Sequence, residues 1–67
     1  MRSWLKEKRT ESGLTMAKMA EKLNITEGYY SLIEAGERQK KMDVALVIKL
    51  SAILGIPIEQ IADLEAR

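Results

Sequence analysis

The chain has 67 residues, 46% of them hydrophobic, with 11 basic against 10 acidic side chains and neither cysteine nor histidine. One domain of this size, residues 1 to 67, buries only about 60% of its unfolded surface, too little for a deep catalytic cleft, so pairing with a second copy would help it. Lack of cysteine and histidine excludes a disulfide framework, a thiolate zinc site and the commonest general base, so no metal or cofactor is expected, and no apolar run approaches the roughly 18 residues of a membrane span.

No stretch alternates as a strand does, and no linker, repeat or low-complexity segment interrupts the chain, so every element reads as a helix. A first helix runs from about Arg2 to Ser12 with Leu5 inward, and Gly13 closes it. Thr15 is placed to cap a second helix, in which Met16, Met19, Ala20 and Leu23 recur at the spacing of a buried face. Asn24 then stops that helix, being the residue most able after glycine to take the left-handed conformation. Thr26 caps a third helix with Tyr30 and Ile33 inward and Gly36 at its end, and the polar segment Glu37-Arg38-Gln39-Lys40-Lys41 follows as a loop. Asp43 caps a fourth, whose buried stripe is Leu46, Val47, Leu50 and Leu54 and which Gly55 stops. Pro57 suits the first turn of a fifth, carrying Ile58, Ile61 and Leu64. Short helices so closely connected make a compact all-α domain rich in local contacts.

Residues 15 to 36 are two short amphipathic helices joined by a three-residue turn and closed by a glycine. That is the outline of a helix-turn-helix at the second and third helices, a unit that presents its second member to the major groove of DNA. Charge is divided to match. Residues 1 to 42 hold nine basic against six acidic side chains, a net +3, whereas residues 43 to 67 hold two against four, a net −2. A basic excess on the part that carries the helix-turn-helix is expected of a polyanion-binding face.

Residues 5 to 61 resemble the Cro/repressor type of helix-turn-helix domain, also called the Xre family. The likeness lies in Leu5 with Arg9, in Gly13-Leu14-Thr15, Ala20, Leu23 with Ile25, in Tyr30-Ser31-Leu32-Ile33-Glu34-Ala35-Gly36, and in Leu50, Leu54-Gly55-Ile56 and Ile61. The resemblance implies a compact five-helix, lambda-repressor-like fold. It also implies a sequence-specific transcriptional regulator that reads double-stranded DNA with its third helix, as a homodimer.

By the same resemblance, Arg9 and Glu34 are a structural pair tying the first helix to the end of the third. Glu27, Gly28 and Tyr29, with Leu32 one turn on, stand where the family makes base contacts. A glutamate accepts from cytosine N4 but repels phosphate, and a tyrosine can stack, touch a thymine methyl or bond a phosphate. Gly28 has two readings: close approach of backbone to DNA, or a weak helix position tolerated near the first turn. Where the family commonly has a glutamine that bonds a phosphate, this chain has Met16. The phosphate grip then falls to Thr15, Thr26, Ser31 and the loop residues Arg38, Lys40 and Lys41. An apolar C-terminal surface, with Ile58 and Leu64 nearer the partner and Ile61 shared or inward, is the expected dimer interface. Its two-fold axis implies half-sites about 10 base pairs apart. Trp4, to which the family assigns no role, is expected to pack the first helix against the fifth.

Three function classes compete. A hydrolase or transferase fails for want of a base to activate any of the hydroxyls. A domain of the same fold that chiefly binds protein, such as an antitoxin or accessory factor with an unidentified partner, has no use for the basic loop or the exposed start of the third helix. A DNA-binding regulator, with repression as the expected mode, uses both. The N-terminus Met-Arg-Ser-Trp-Leu-Lys lacks the apolar stretch of a signal peptide, so the cytoplasm is the default compartment and no membrane partner is expected.

Overall fold

The computed structural model describes residues Met1–Arg67. It contains α1 (Ser3–Glu11), α2 (Met16–Leu23), α3 (Glu27–Ala35), α4 (Val44–Leu54) and α5 (Ile58–Glu65), without strands. Side-chain caps fix three of the starts. Thr15 accepts from the Lys18 N–H at 3.1 Å, Thr26 from that of Tyr29 at 3.1 Å and Asp43 from that of Leu46 at 2.7 Å. The left-handed stops are equally local. Asn24 has φ 59° and ψ 44°, and Gly36 has φ 82°. At Gly36 the chain turns back, with the Gly36 N–H bonded to the Ile33 carbonyl at 3.0 Å and the Glu37 N–H to that of Leu32 at 2.9 Å.

Two helix starts differ from the sequence expectation, and α1 ends one residue early, at Glu11. α1 begins at Ser3 because Arg2, at the cap position, sends its side chain across the molecule instead of along the helix. Pro57 takes the cap position of α5, with φ −64° and ψ 148°, so the first helical residue is Ile58. Proline's fixed φ satisfies either position.

Every helix contributes to one core: Leu5 from α1, Met19, Ala20 and Leu23 from α2, Tyr30 and Ile33 from α3, Leu46 and Leu50 from α4, and Ile61 from α5. Burying each of the larger side chains stabilises by about 1.5–3 kcal/mol. Val47 and Leu54 lie half-buried at its edge. Trp4 joins α1 to α5 as expected, its indole N–H donating to Glu65 at 2.8 Å. No single helix is long and apolar enough to cross a membrane.

Candidate nucleic-acid interface

α2 and α3 are set against each other by the turn Asn24-Ile25-Thr26. The Asn24 N–H bonds to the Glu21 carbonyl at 3.1 Å and that of Ile25 to Ala20 at 3.0 Å, which satisfies two of the last four carbonyls of α2. Thr26 then starts α3 at once. Ala20, Tyr30 and Ile33 fill the interior between the two helices, leaving the opposite side of α3 to solvent.

That solvent side consists of Glu27, Gly28, Ser31 and Ala35, with one charge and otherwise only small residues. Leu32 is half-buried beside it, facing a hollow shared with Glu37, Arg38 and Lys40. Tyr29 stands differently from the free aromatic that its position on the helix suggests. Its ring is half-buried against the core, and its hydroxyl oxygen accepts from the Gln39 side chain at 3.3 Å. Thr15 and Thr26 are exposed, and each hydroxyl spends a lone pair on its cap and keeps its own proton for another acceptor.

The inner end of α3 is braced by a buried network. Arg9 meets Glu34 through Nε–Oε2 at 2.9 Å and Nη2–Oε1 at 3.3 Å, and also donates to the Leu14 carbonyl at 2.8 Å. Tyr30 donates to Glu34 at 2.7 Å. No buried side-chain nitrogen or oxygen lacks a partner. The hydrogen bond that Arg9 donates to Glu34 raises the Arg9 pKa above its ordinary value. Burial, then the Glu34 hydrogen bond, pushes the Tyr30 phenol far above its own.

Arg2 is the residue that sequence reasoning missed. Its guanidinium is buried and bonds Glu65 through Nε at 2.9 Å, the Ile33 carbonyl at 2.6 Å, the Arg38 carbonyl at 3.1 Å and the Gln39 carbonyl. One cation thus holds the C-terminal end of α3, where the helix dipole favours positive charge, and the backbone of the following loop. Its partner Glu65 lies 63 positions away, so no local spacing announces the pair.

Pairing also sorts the basic residues. Arg2, Lys8, Arg9 and Lys18 are engaged with carboxylates, which leaves Lys6, Lys22, Arg38, Lys40 and Lys41 of the basic N-terminal part without such partners. Three of those five are in the loop behind α3, and all three are exposed. On α5, Ile58 is 47% exposed and Leu64 half-buried. Of the two places expected for Ile61, shared with a partner or inward, the structure shows the second: it is 0% exposed, because α5 uses it to close the core, so it drops out of the expected interface.

The helix-turn-helix family model matches residues 5–61. Over 45 residues the chain is 40% identical to an uncharacterized HTH-type transcriptional regulator, YqaF, of Bacillus subtilis (strain 168). That match covers 67% of the chain and 59% of the relative, so the chain aligns with less than two thirds of that protein's length. No solved structure matches it.

Proposed function

The chain belongs to the Cro/repressor-type helix-turn-helix family, and from that premise we propose that it is a sequence-specific DNA-binding transcriptional regulator, acting as a cytoplasmic repressor. α3 enters the major groove with Glu27, Gly28, Tyr29 and Leu32 toward the bases. Thr15, Thr26, Ser31, Arg38, Lys40 and Lys41 bind the flanking phosphates. The observation that carries this reading is the unpaired, exposed trio Arg38, Lys40 and Lys41, held beside the C-terminal end of α3 by Arg2.

So few base-reading side chains cover a short half-site, and selectivity calls for two copies. The homodimer forms through the α5 side, with Ile58 as the exposed apolar anchor and Leu64 beside it. Selection from random duplexes, followed by sedimentation of the complex, tests the whole reading. The expected result is a near-palindromic site with half-site centres about 10 base pairs apart, bound by two chains. Failure to enrich any sequence overturns the reading, and a single chain on an asymmetric site overturns the dimer.

A further inference from the structure

Gln39 occupies a left-handed backbone conformation, φ 54°, that glycine adopts freely and glutamine does not. Three bonds hold it there. Its carbonyl accepts from Arg2, its side-chain oxygen accepts from the Asp43 N–H at 3.0 Å, and its side-chain nitrogen donates to the Tyr29 hydroxyl at 3.3 Å.

The direction of the last bond follows from the others. A backbone N–H can only donate, so the atom of the Gln39 amide facing Asp43 has to be the oxygen. The atom facing Tyr29 is then the nitrogen, which only donates. The Tyr29 oxygen is therefore the acceptor, and its own proton is left over. No protein group accepts that proton, although the ring lies against a hollow of about 150 Å³ that Ile25, Ile33 and Leu46 line together with Asp43 and Lys49.

We infer that Gln39 is a positioning residue that commits the Tyr29 hydroxyl to donate its proton to a hydrogen-bond acceptor on bound DNA. This rests on the reading of α3 as the DNA-facing helix. Tyr29 is the third residue of that helix, and Gln39 lies between the exposed cations Arg38 and Lys40. An oxygen of the phosphate backbone and an acceptor on a base edge share the required chemistry.

Tyr29→Phe, Gln39→Glu and the double variant test it, in binding assays on the selected duplex and on an unrelated one, at several salt concentrations. With glutamate at position 39, one carboxylate oxygen still accepts from Asp43 while the other accepts from Tyr29, turning the phenol proton away from DNA. The added negative charge weakens binding whether or not the phenol is present, so the readout is the coupling. Tyr29→Phe is expected to weaken binding roughly three- to tenfold, the worth of one neutral hydrogen bond. Gln39→Glu should cost more in the parent than in the Tyr29→Phe variant, by about the factor that Tyr29→Phe costs alone. If Gln39→Glu melts below the assay temperature, Gln39→Met replaces it; it should weaken the parent and have no effect when combined with Tyr29→Phe.

A loss equal on both duplexes, with an unchanged salt slope, assigns the acceptor to phosphate. A loss confined to the selected duplex assigns it to a base. Unchanged binding by Tyr29→Phe, or equal cost of the position-39 substitution with and without the phenol, overturns the inference while leaving DNA binding intact. Absence of binding by the parent protein overturns the underlying reading instead.

Discussion

Arg9 and Glu34 lie 25 residues apart in sequence and meet as a two-bonded ion pair, each less than a tenth exposed. Such a pair is weak evidence of net stabilisation, because desolvating both charges offsets much of their attraction. Breaking it is another matter. Glu34→Ala strands a buried guanidinium and also removes the acceptor of Tyr30, so the expected loss is about 3–5 kcal/mol in urea or thermal unfolding. Replacing both partners by apolar residues of similar volume should cost less than the single change. A loss within about 0.5 kcal/mol, the range of free surface sites, contradicts the pairing.

The same network predicts an alkaline limit to stability. Burial and the bond to Glu34 raise the folded-state pKa of Tyr30, whereas the unfolded chain releases that proton near the ordinary value of about 10. The folded state therefore holds the proton more tightly. Its contribution is complete below about pH 10 and falls above it by about 1.4 kcal/mol per pH unit until the folded phenol also ionises. Denaturant unfolding followed from pH 9 upward should show this slope, and Tyr30→Phe should lessen it by one proton. Identical slopes in the two proteins would show that Tyr30 ionises alike in both states.

Legibility in the sequence depends on the range of the interaction. Thr15, Asn24, Thr26, Gly36 and Asp43 act on backbone groups within a few residues, so the caps and stops are readable from residue type and position. The inward stripes are readable for the same reason, since helical spacing fixes which residues share a face. Arg2 and Glu65 meet only because the chain ends come together, and nothing near either residue signals the other. Tyr29 escapes sequence reading by a related route: its place on α3 suggests exposure, but the loop returning through Gln39 covers it. Helical spacing sets Ile61 apart from Ile58 on α5 but leaves it shared or inward, and the packing of α5 decides that the core takes all of it.

At Gly28, packing and DNA approach make opposite demands. A Cβ built there meets nothing within 4 Å, so no packing within the chain requires a glycine. Gly28→Ala should then stabilise the protein by about 0.5–1 kcal/mol, the helix-interior difference between the two residues. If the α3 backbone lies close against DNA, the same methyl group should weaken binding by about 1–3 kcal/mol, the range for forcing an extra carbon into a packed interior. Melting curves and titrations on one preparation check both halves. Greater stability with unchanged affinity would make Gly28 only a tolerated weak position in the helix.

The loop behind α3 supplies the last test, because its backbone and its side chains have separate jobs. Arg2 holds the carbonyls of Arg38 and Gln39, while the side chains of Lys40 and Lys41 are exposed and form no ion pair. Changing both lysines to alanine should leave the melting temperature nearly unchanged, since surface substitutions away from such anchors cost within about 0.5 kcal/mol. Binding should weaken on every duplex alike, because bonds to phosphate carry no base information. The slope of log K against log salt should shrink by roughly 0.9 for each phosphate no longer neutralised. A large loss restricted to the selected duplex would place these lysines at base edges. An unchanged slope would remove Lys40 and Lys41 from the phosphate contacts and leave Arg38 as the one cation of the loop that can make them.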